Sequence, residues 1–354
     1  MDLQILPLTE HKPRIEDEAS LAFGQNFTDR MFVMEYDSGR GWHSARIAPY
    51  GPVVLDPAAL VLHYAQEVFE GLKAFRRPDG RIALFRPRDN MARFNRSARR
   101  MCMPAVDEGF FLDALKELVR LEADWVPHSE GTSLYIRPTM IATQPVLGVK
   151  PSDCYLCYII LSPVGPYYKC GFKPVRIWIS DEYIRSAPGG TGEAKTGGNY
   201  AASLYAARQA AKQGFDQVLW LDAVERRYAE EVGSMNLCFI YDDKLVTSPL
   251  KGTILDGITR RSILTLAGEM GLTIEERALS VDEILDGAAN GRLSEAFGTG
   301  TATVVSPVGQ FTYRDSTVTL GDNQVGAWTL RFFDTLTGIQ YGRRPDTHGW
   351  VELL

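Results

Sequence analysis

The sequence predicts an α+β fold in two domains, and three observations carry that expectation. The chain has 354 residues, more than one typical domain holds. In its first half, strand-like runs bracket helical ones, the pattern of one sheet with helices packed on it. The stretch Pro163-Val164-Gly165-Pro166-Tyr167-Tyr168-Lys169-Cys170-Gly171 then reads as a connector, because proline and glycine together break both helix and strand. The expected division is a first domain over 1–162, a linker over 163–174 and a second domain over 175–354.

In the first domain, Arg30–Tyr36 and Ser44–Ile47 have strand composition, joined by the turn Asp37-Ser38-Gly39-Arg40-Gly41. Asn90–Met103 and Phe110–Trp125 have helical periodicity, and Thr132–Ala142 and Tyr155–Leu161 return to β-branched and aromatic strand composition. In the second domain, Val175–Ser180 reads as a strand, followed by a glycine-rich loop and a helix from Ala201 to Gly214. Gln217–Asp222 and Leu237–Tyr241 are expected as buried strands, Thr259–Met270 as a helix stopped by Gly271, Val281–Ala288 as a second helix and Ala302–Val308 as a further strand. No internal repeat or low-complexity tract is present.

Composition narrows the function classes. A hydrophobic fraction of 45% and a charged fraction of 23% are ordinary for a globular protein. The net charge is -6 with acids and bases interspersed, so nucleic acid is not an expected partner. No apolar run reaches the roughly 20 residues that span a bilayer, and the start lacks a signal-peptide pattern. Five scattered cysteines suit a reducing cytoplasm. Cys154 and Cys157 have C-x-x-C spacing but lie in a strand-like run, where residues three apart face opposite ways. They are expected to be structural, and no metal site is expected.

The most informative segment is Gly189-Gly190-Thr191-Gly192-Glu193-Ala194-Lys195-Thr196-Gly197-Gly198-Asn199-Tyr200. A lone lysine on such a loop can be kept partly desolvated and aimed, which suits an amine that forms a Schiff base. A solvent-facing loop lysine is the plainer alternative. Three more segments add chemistry. Glu231-Val232-Gly233-Ser234-Met235-Asn236 places a carboxylate at a strand start, and Gly257-Ile258-Thr259-Arg260-Arg261-Ser262 runs from a turn into a helix start. Such a start suits an anion, with Thr259 as an N-cap the simpler reading. Gly298-Thr299-Gly300-Thr301-Ala302 offers small residues and hydroxyls. A lysine amine, a carboxylate and two phosphate-compatible turns are what pyridoxal phosphate requires of a protein.

With His63-Tyr64-Ala65-Gln66-Glu67-Val68-Phe69-Glu70-Gly71-Leu72-Lys73-Ala74-Phe75, Leu84-Phe85-Arg86-Pro87 and Tyr135-Ile136-Arg137-Pro138-Thr139 added, the chain resembles the branched-chain amino acid aminotransferases. These are fold-type IV pyridoxal phosphate enzymes. The resemblance runs from about Phe23 to Tyr341 with the motifs in family order. It implies a smaller α/β N-terminal domain, a larger C-terminal domain with a β-barrel-like core, and pyridoxal 5'-phosphate as cofactor. It also implies a cytoplasmic homodimer acting on amino acids and 2-oxo acids.

Carried over by position, Lys195 resembles the Schiff-base lysine, Tyr200 the tyrosine on the cofactor's ring oxygen and Glu231 the partner of the pyridine nitrogen. Arg93 resembles the phosphate-binding arginine, Ile258 and Thr259 the helix-start amides under the phosphate, and Thr301 the hydroxyl beside them. The flanking glycines are expected to let backbone pass close to the cofactor. Phe23, Tyr64, Phe69, Tyr135 and Tyr167 resemble an aromatic wall around the substrate side chain. Tyr135 and Arg137 resemble the residues that orient its carboxylate, with Ser234 and Ala302 nearby. Leu147 and Val149 match a loop that reaches the neighbouring subunit.

Two departures stand out. Mammalian relatives carry a C-x-x-C redox switch after the Thr301-Ala302 position, where this chain has Thr303 and Ser306. Ser234 stands where threonine is common, a change that keeps the hydroxyl. The expected reaction is transfer from leucine, isoleucine or valine to 2-oxoglutarate. The alternatives are a D-amino acid aminotransferase, an aminodeoxychorismate lyase, or a non-catalytic phosphate-binding protein using the Gly298 loop.

Overall fold

The computed structural model describes residues 1–165 and 171–354. The chain forms two compact units, the first comprising Met1–Tyr167, Ala194–Gly197 and Gly338–Leu354, the second Tyr168–Glu193 and Gly198–Thr337. Among the described residues no helix is long and apolar enough to cross a membrane, and no His, Cys, Asp and Glu cluster could hold a metal ion.

The first unit is built on strands β1 (Gln4–Ile5), β2 (Arg30–Asp37), β3 (Gly41–Pro49), β4 (Glu67–Phe69), β5 (Leu72–Arg76), β6 (Ile82–Phe85), β7 (Ser133–Ala142) and β8 (Cys154–Val164), with helices α1 (Leu60–Tyr64), α2 (Pro87–Arg100) and α3 (Glu108–Leu121). The sheet runs β1-β3-β2-β8-β7-β5-β6 and ends on the last strand of the chain, Val351–Leu353, with β4 paired to β7. Along the first part of β8, Tyr155, Cys157, Ile159 and Leu161 are buried while Cys154, Leu156, Tyr158 and Ile160 between them are half-buried, the period-2 signature of a strand with one face on the core. Cys154 and Cys157 are both free.

Two helices cover this face. Asp107 caps α3 by accepting Phe110 N–H at 2.8 Å, and the helix then buries Phe111, Leu112, Leu115, Leu118 and Val119. Phe111 stacks on Phe94 of α2 at 5.5 Å and meets Phe32 of β2 edge-on at 5.8 Å. Pro87 opens α2 at its first position, where the missing N–H costs no helical bond.

The second unit contains α4 (Gly197–Ala201), α5 (Leu204–Lys212), α6 (Ile258–Glu269), α7 (Val281–Asn290) and α8 (Ala327–Gln340), some of them shared with the unit boundary. Its strands are β9 (Val175–Ser180), β10 (Gln217–Leu221), β11 (Ala229–Val232), β12 (Met235–Tyr241), β13 (Lys244–Thr247), β14 (Thr273–Glu276), β15 (Leu293–Gly300), β16 (Val304–Tyr313) and β17 (Ser316–Thr319). The path β11-β10-β9-β16-β15-β12 returns to its start through a β11–β12 pairing. That closure makes a six-stranded barrel, as the resemblance implies. Ile177, Leu219, Val232, Leu237, Phe239, Val308 and Phe311 fill its core.

Local differences have physical reasons. The helix expected over 201–214 is interrupted, so that α4 ends at Ala201 and α5 begins at Leu204. Only Ala206 and Ala210 of α5 are buried, so the apolar Leu204 and Tyr205 face outward. Gly298 lies within a strand, and the turn falls at Thr301–Thr303, because residues from Ala296 to Gly300 pair with β16. In α7 the capping box of Ser280 and Glu283 sets the start and Gly291 in the left-handed region sets the stop.

Candidate active site

In the first unit, backbone bonds fasten Lys195 on both sides. Its N–H donates to Ser97 Oγ at 2.9 Å, and its carbonyl accepts from Phe69 N–H at 3.0 Å. The next residue, Thr196, donates its hydroxyl to the Glu67 carbonyl at 2.7 Å. Gly197 follows where a Cβ would come within 2.0 Å of Glu67 Oε1. Burial raises the Glu67 carboxyl, partly offset by the Gly197 N–H and the Arg137 charge.

Two glycines of this loop make room for protein groups. Gly197 makes room for Glu67, and in the second unit a Cβ on Gly192 would lie 2.4 Å from the Thr253 carbonyl and 2.1 Å from Ser186 Oγ. Gly189 is needed for its φ of +78°.

The Lys195 side chain reaches Phe69, with Nζ 4.7 Å from the ring centroid. Arg137 Cζ is also 4.7 Å from that ring. Arg137 Nη2 donates to Tyr135 Oη at 3.0 Å, and Tyr135 meets Phe23 edge-on at 4.8 Å. Tyr135 and Arg137 are two apart on β7 and so share a face, while Phe69 of β4 pairs opposite Thr139 of β7. Lys195, Phe69, Arg137, Tyr135 and Phe23 thus form one run of contacts. Beneath it lies Gly71, where a Cβ would sit 1.9 Å from Tyr135 Oη.

The other residues singled out in this unit sit around that run or apart from it. Arg93 is buried in α2 and paired with Glu70, Nε to Oε1 at 2.6 Å. Tyr64 donates its hydroxyl to the Leu147 carbonyl. Leu147 and Val149 are 62% and 84% exposed, so the loop they share is open to solvent in the single chain. Tyr167 lies outside the described residues.

In the second unit, Glu231 is buried on β11, held between β10 and β12. Arg185 Nη1 lies 2.7 Å from its Oε2, and Asn236 Nδ2 donates to Oε1 at 3.1 Å. Asn236 also bonds the Leu255 carbonyl at 2.9 Å, and Gly257 leaves its Oδ1 space, since a Cβ there would be 1.9 Å away. The N-cap of α6 is Gly257, which makes Ile258 and Thr259 first-turn residues and corrects the reading of Thr259 as cap. Gly257 has no side chain with which to cap it, and a helix start of this kind leaves its first amides to another partner, such as an anion. Thr301 and Ala302 occupy the β15–β16 turn, Ser234 the β11–β12 turn and Tyr200 the short helix α4.

Sequence reasoning missed Glu67, Glu70, Arg185 and Asn236. Glu67, Glu70 and Asn236 lie in motifs already singled out, where only folding shows what they bind. Arg185 is an ordinary charge in sequence, and only its burial reveals it.

Comparison with known proteins identifies relatives over nearly the whole chain. The Amino-transferase class IV family matches residues 67–311. A branched-chain-amino-acid transaminase 1 of Bacillus subtilis (strain 168) is 54% identical over 336 residues, covering 95% of this chain and 94% of its own. A branched-chain-amino-acid aminotransferase of Mycolicibacterium smegmatis is 51% identical over 341 residues, covering 95% and 93%. Among solved structures, the branched-chain amino acid aminotransferase of Escherichia coli superimposes with a TM-score of 0.75 at 26% identity, covering 92% of this chain and 98% of that one. The branched-chain aminotransferase of the thermophilic archaeon Thermoproteus uzoniensis, solved with norvaline, gives 0.74 at 25% identity, covering 92% and 99%.

Proposed function

The chain belongs to the class IV amino-transferase family, and from that premise we propose that it transfers the amino group of leucine, isoleucine or valine reversibly to 2-oxoglutarate. The observation that carries the reading is the contact run itself. One ring, Phe69, has the Lys195 amine and the Arg137 guanidinium each 4.7 Å from its centroid. An amine to move a proton, a cation to fix a carboxylate and aromatic walls to receive an aliphatic side chain are the parts the reaction needs.

The residues present fit pyridoxal 5'-phosphate on a chemical test. A carboxylate meant to face a protonated ring nitrogen must stay ionised although buried, and Glu231 has the Arg185 guanidinium at 2.7 Å and an Asn236 amide at 3.1 Å to keep it so. When bound, the cofactor supplies a carbonyl that takes up the amino group and a ring that stores an electron pair. Lys195 Nζ would be the base that takes the proton from the substrate Cα. Arg137, with Tyr135 beside it, orients the substrate carboxylate, and Phe23 and Phe69 exclude water from the aliphatic side chain. By the family resemblance, Glu231 would accept the ring N–H and Tyr200 would bond the ring oxygen, while Arg93, the Ile258 and Thr259 amides and the Thr301 hydroxyl would hold the phosphate. One methylene changes binding in an apolar pocket by only ~1–3 kcal/mol, so all three amino acids are accepted.

The chain acts as a homodimer in this reading, since exposed Leu147 and Val149 gain cover from a second copy. A solution mass of one chain, 39.4 kDa, would refute that. For the activity, borohydride should fix pyridoxal phosphate on Lys195, and Lys195→Ala should remove both labelling and turnover with the fold intact. Loss of the cofactor's visible absorbance should follow leucine, isoleucine and valine; an equal response to D-alanine rejects the substrate class.

A further inference from the structure

Glu70 sits between β4 and β5 with no exposure at all, and both of its carboxylate oxygens are taken up by named donors. Arg93 grips it edge-on, Nε to Oε1 at 2.6 Å and Nη2 to Oε2 at 2.9 Å. Asn90 Nδ2 donates to Oε2 at 2.7 Å and the Gly71 N–H to the same oxygen at 3.0 Å. Asn90, Arg93 and Ser97 recur at i, i+3 and i+7 along α2, so they share one helical face. That face carries both the guanidinium and the hydroxyl that fastens Lys195.

A buried ion pair of this kind is seldom more stabilising than an apolar pair of the same volume, so a role in stability alone accounts for it poorly. A two-point grip on a planar guanidinium does something an apolar contact cannot, which is to fix the plane. Burial raises the Glu70 carboxyl, but the Arg93 guanidinium beside it wins and holds it below the ordinary carboxylate range. The carboxylate is therefore present as the charged, two-oxygen partner that this geometry needs.

We propose that Glu70 is a positioning residue that sets the plane of the Arg93 guanidinium for the cofactor phosphate. The proposal rests on the reading of Arg93 as a phosphate ligand. Glutamine at position 70 keeps the size but turns one acceptor into a donor facing the guanidinium, so the plane must tip.

The test is the ratio of affinities of the apo-protein for pyridoxal 5'-phosphate and for pyridoxal, which lacks the phosphate, by equilibrium titration. Groups that orient metal-binding residues contribute about 10–100-fold, and by that analogy Glu70→Gln should lower the ratio about 10-fold or more. An equal loss for both compounds would make Glu70 merely structural and overturn the proposal. Arg93→Ala is the control, since an unchanged ratio there defeats the reading of Arg93 itself, independently of Glu70. With Arg93 removed, Glu70→Gln should change the ratio no further, and an additional fall would also overturn the proposal. Should Glu70→Gln not yield folded protein, Glu70→Asp answers the same question. Its carboxylate is set back by one methylene and cannot reach both nitrogens from the same backbone position, and a ratio equal to wild type overturns the proposal.

Discussion

Replacing Gly71 by alanine tests the contact run most directly. The position has an ordinary φ, so alanine costs nothing in backbone strain. The methyl group, however, would lie 1.9 Å from Tyr135 Oη and 2.8 Å from Cζ, where ordinary contact starts at 3.4 Å. The hydroxyl must therefore retreat by ~1.5 Å. Tyr135 is nearly buried and already meets Phe23 at 4.8 Å, so the ring can move only by giving up its bond with Arg137 at 3.0 Å. A misplacement of about 1 Å in a substrate-positioning group costs up to about 100-fold in rate, or roughly 1.4–2.7 kcal/mol of barrier for 10- to 100-fold. Gly71→Ala should thus lower kcat/KM for leucine by about 10- to 100-fold, with the melting temperature recorded alongside. Adding Tyr135→Phe removes the closer of the two clashing atoms and should restore part of the fit. A Gly71→Ala enzyme within about twofold of wild type in kcat/KM would refute the role assigned to Tyr135 and Arg137.

Two further predictions concern buried charge. Arg185→Ala strands Glu231 and also frees the Thr253 carbonyl that Arg185 bonds at 3.1 Å; unfolding free energy in urea should fall by ~3–5 kcal/mol, and a loss below about 1 kcal/mol would contradict the pairing. Asp29 would be raised by burial, but the Lys12 N–H together with Trp125, His11 and Arg14 takes its carboxyl from 3.8 down to about 2. A lowered carboxylate stabilises above its unfolded value and loses that contribution as pH falls through the folded one. Asp29 should therefore contribute roughly 2 kcal/mol at neutral pH that disappears between about pH 4 and pH 2. Urea midpoints in that range should flatten in Asp29→Asn, and an unchanged acid slope counts against the assignment.

What could be read from the sequence depended on whether the signal was local. Val175–Ser180 is recovered to the residue, and β8 is recognisable because alternate side chains meet one core. Strand β4 is three residues long, too short for periodicity, and exists only because Phe69 finds Thr139. The 298–302 segment looks like a loop from its glycines, yet Gly298 pairs opposite Ser306, and its Cβ position is taken by Met235. The site divides in the same way. Lys195 and Glu231 stand in short motifs whose residue types already suggest their chemistry. Glu70, inside the 63–75 motif, and Arg185, outside any, carry no such hint, since a carboxylate or guanidinium becomes informative only once it is buried against a partner that folding brings to it.

The last strand of the first unit has a consequence for how the protein is made. Val351–Leu353 pairs with β6, opposite Phe85 and Ala83, and Lys116 of α3 bonds Glu352 at 2.5 Å. The Tyr341 hydroxyl reaches back to the Thr132 carbonyl at 2.7 Å. On the ribosome, domains commonly fold in the order in which they emerge, but here the unit begun first is finished last. Until Val351–Leu353 has been synthesised, β6 is an open edge able to recruit a strand from another nascent chain. The second unit, whose barrel closes on strands already synthesised by Tyr313, completes its sheet while the first still waits for its final residues.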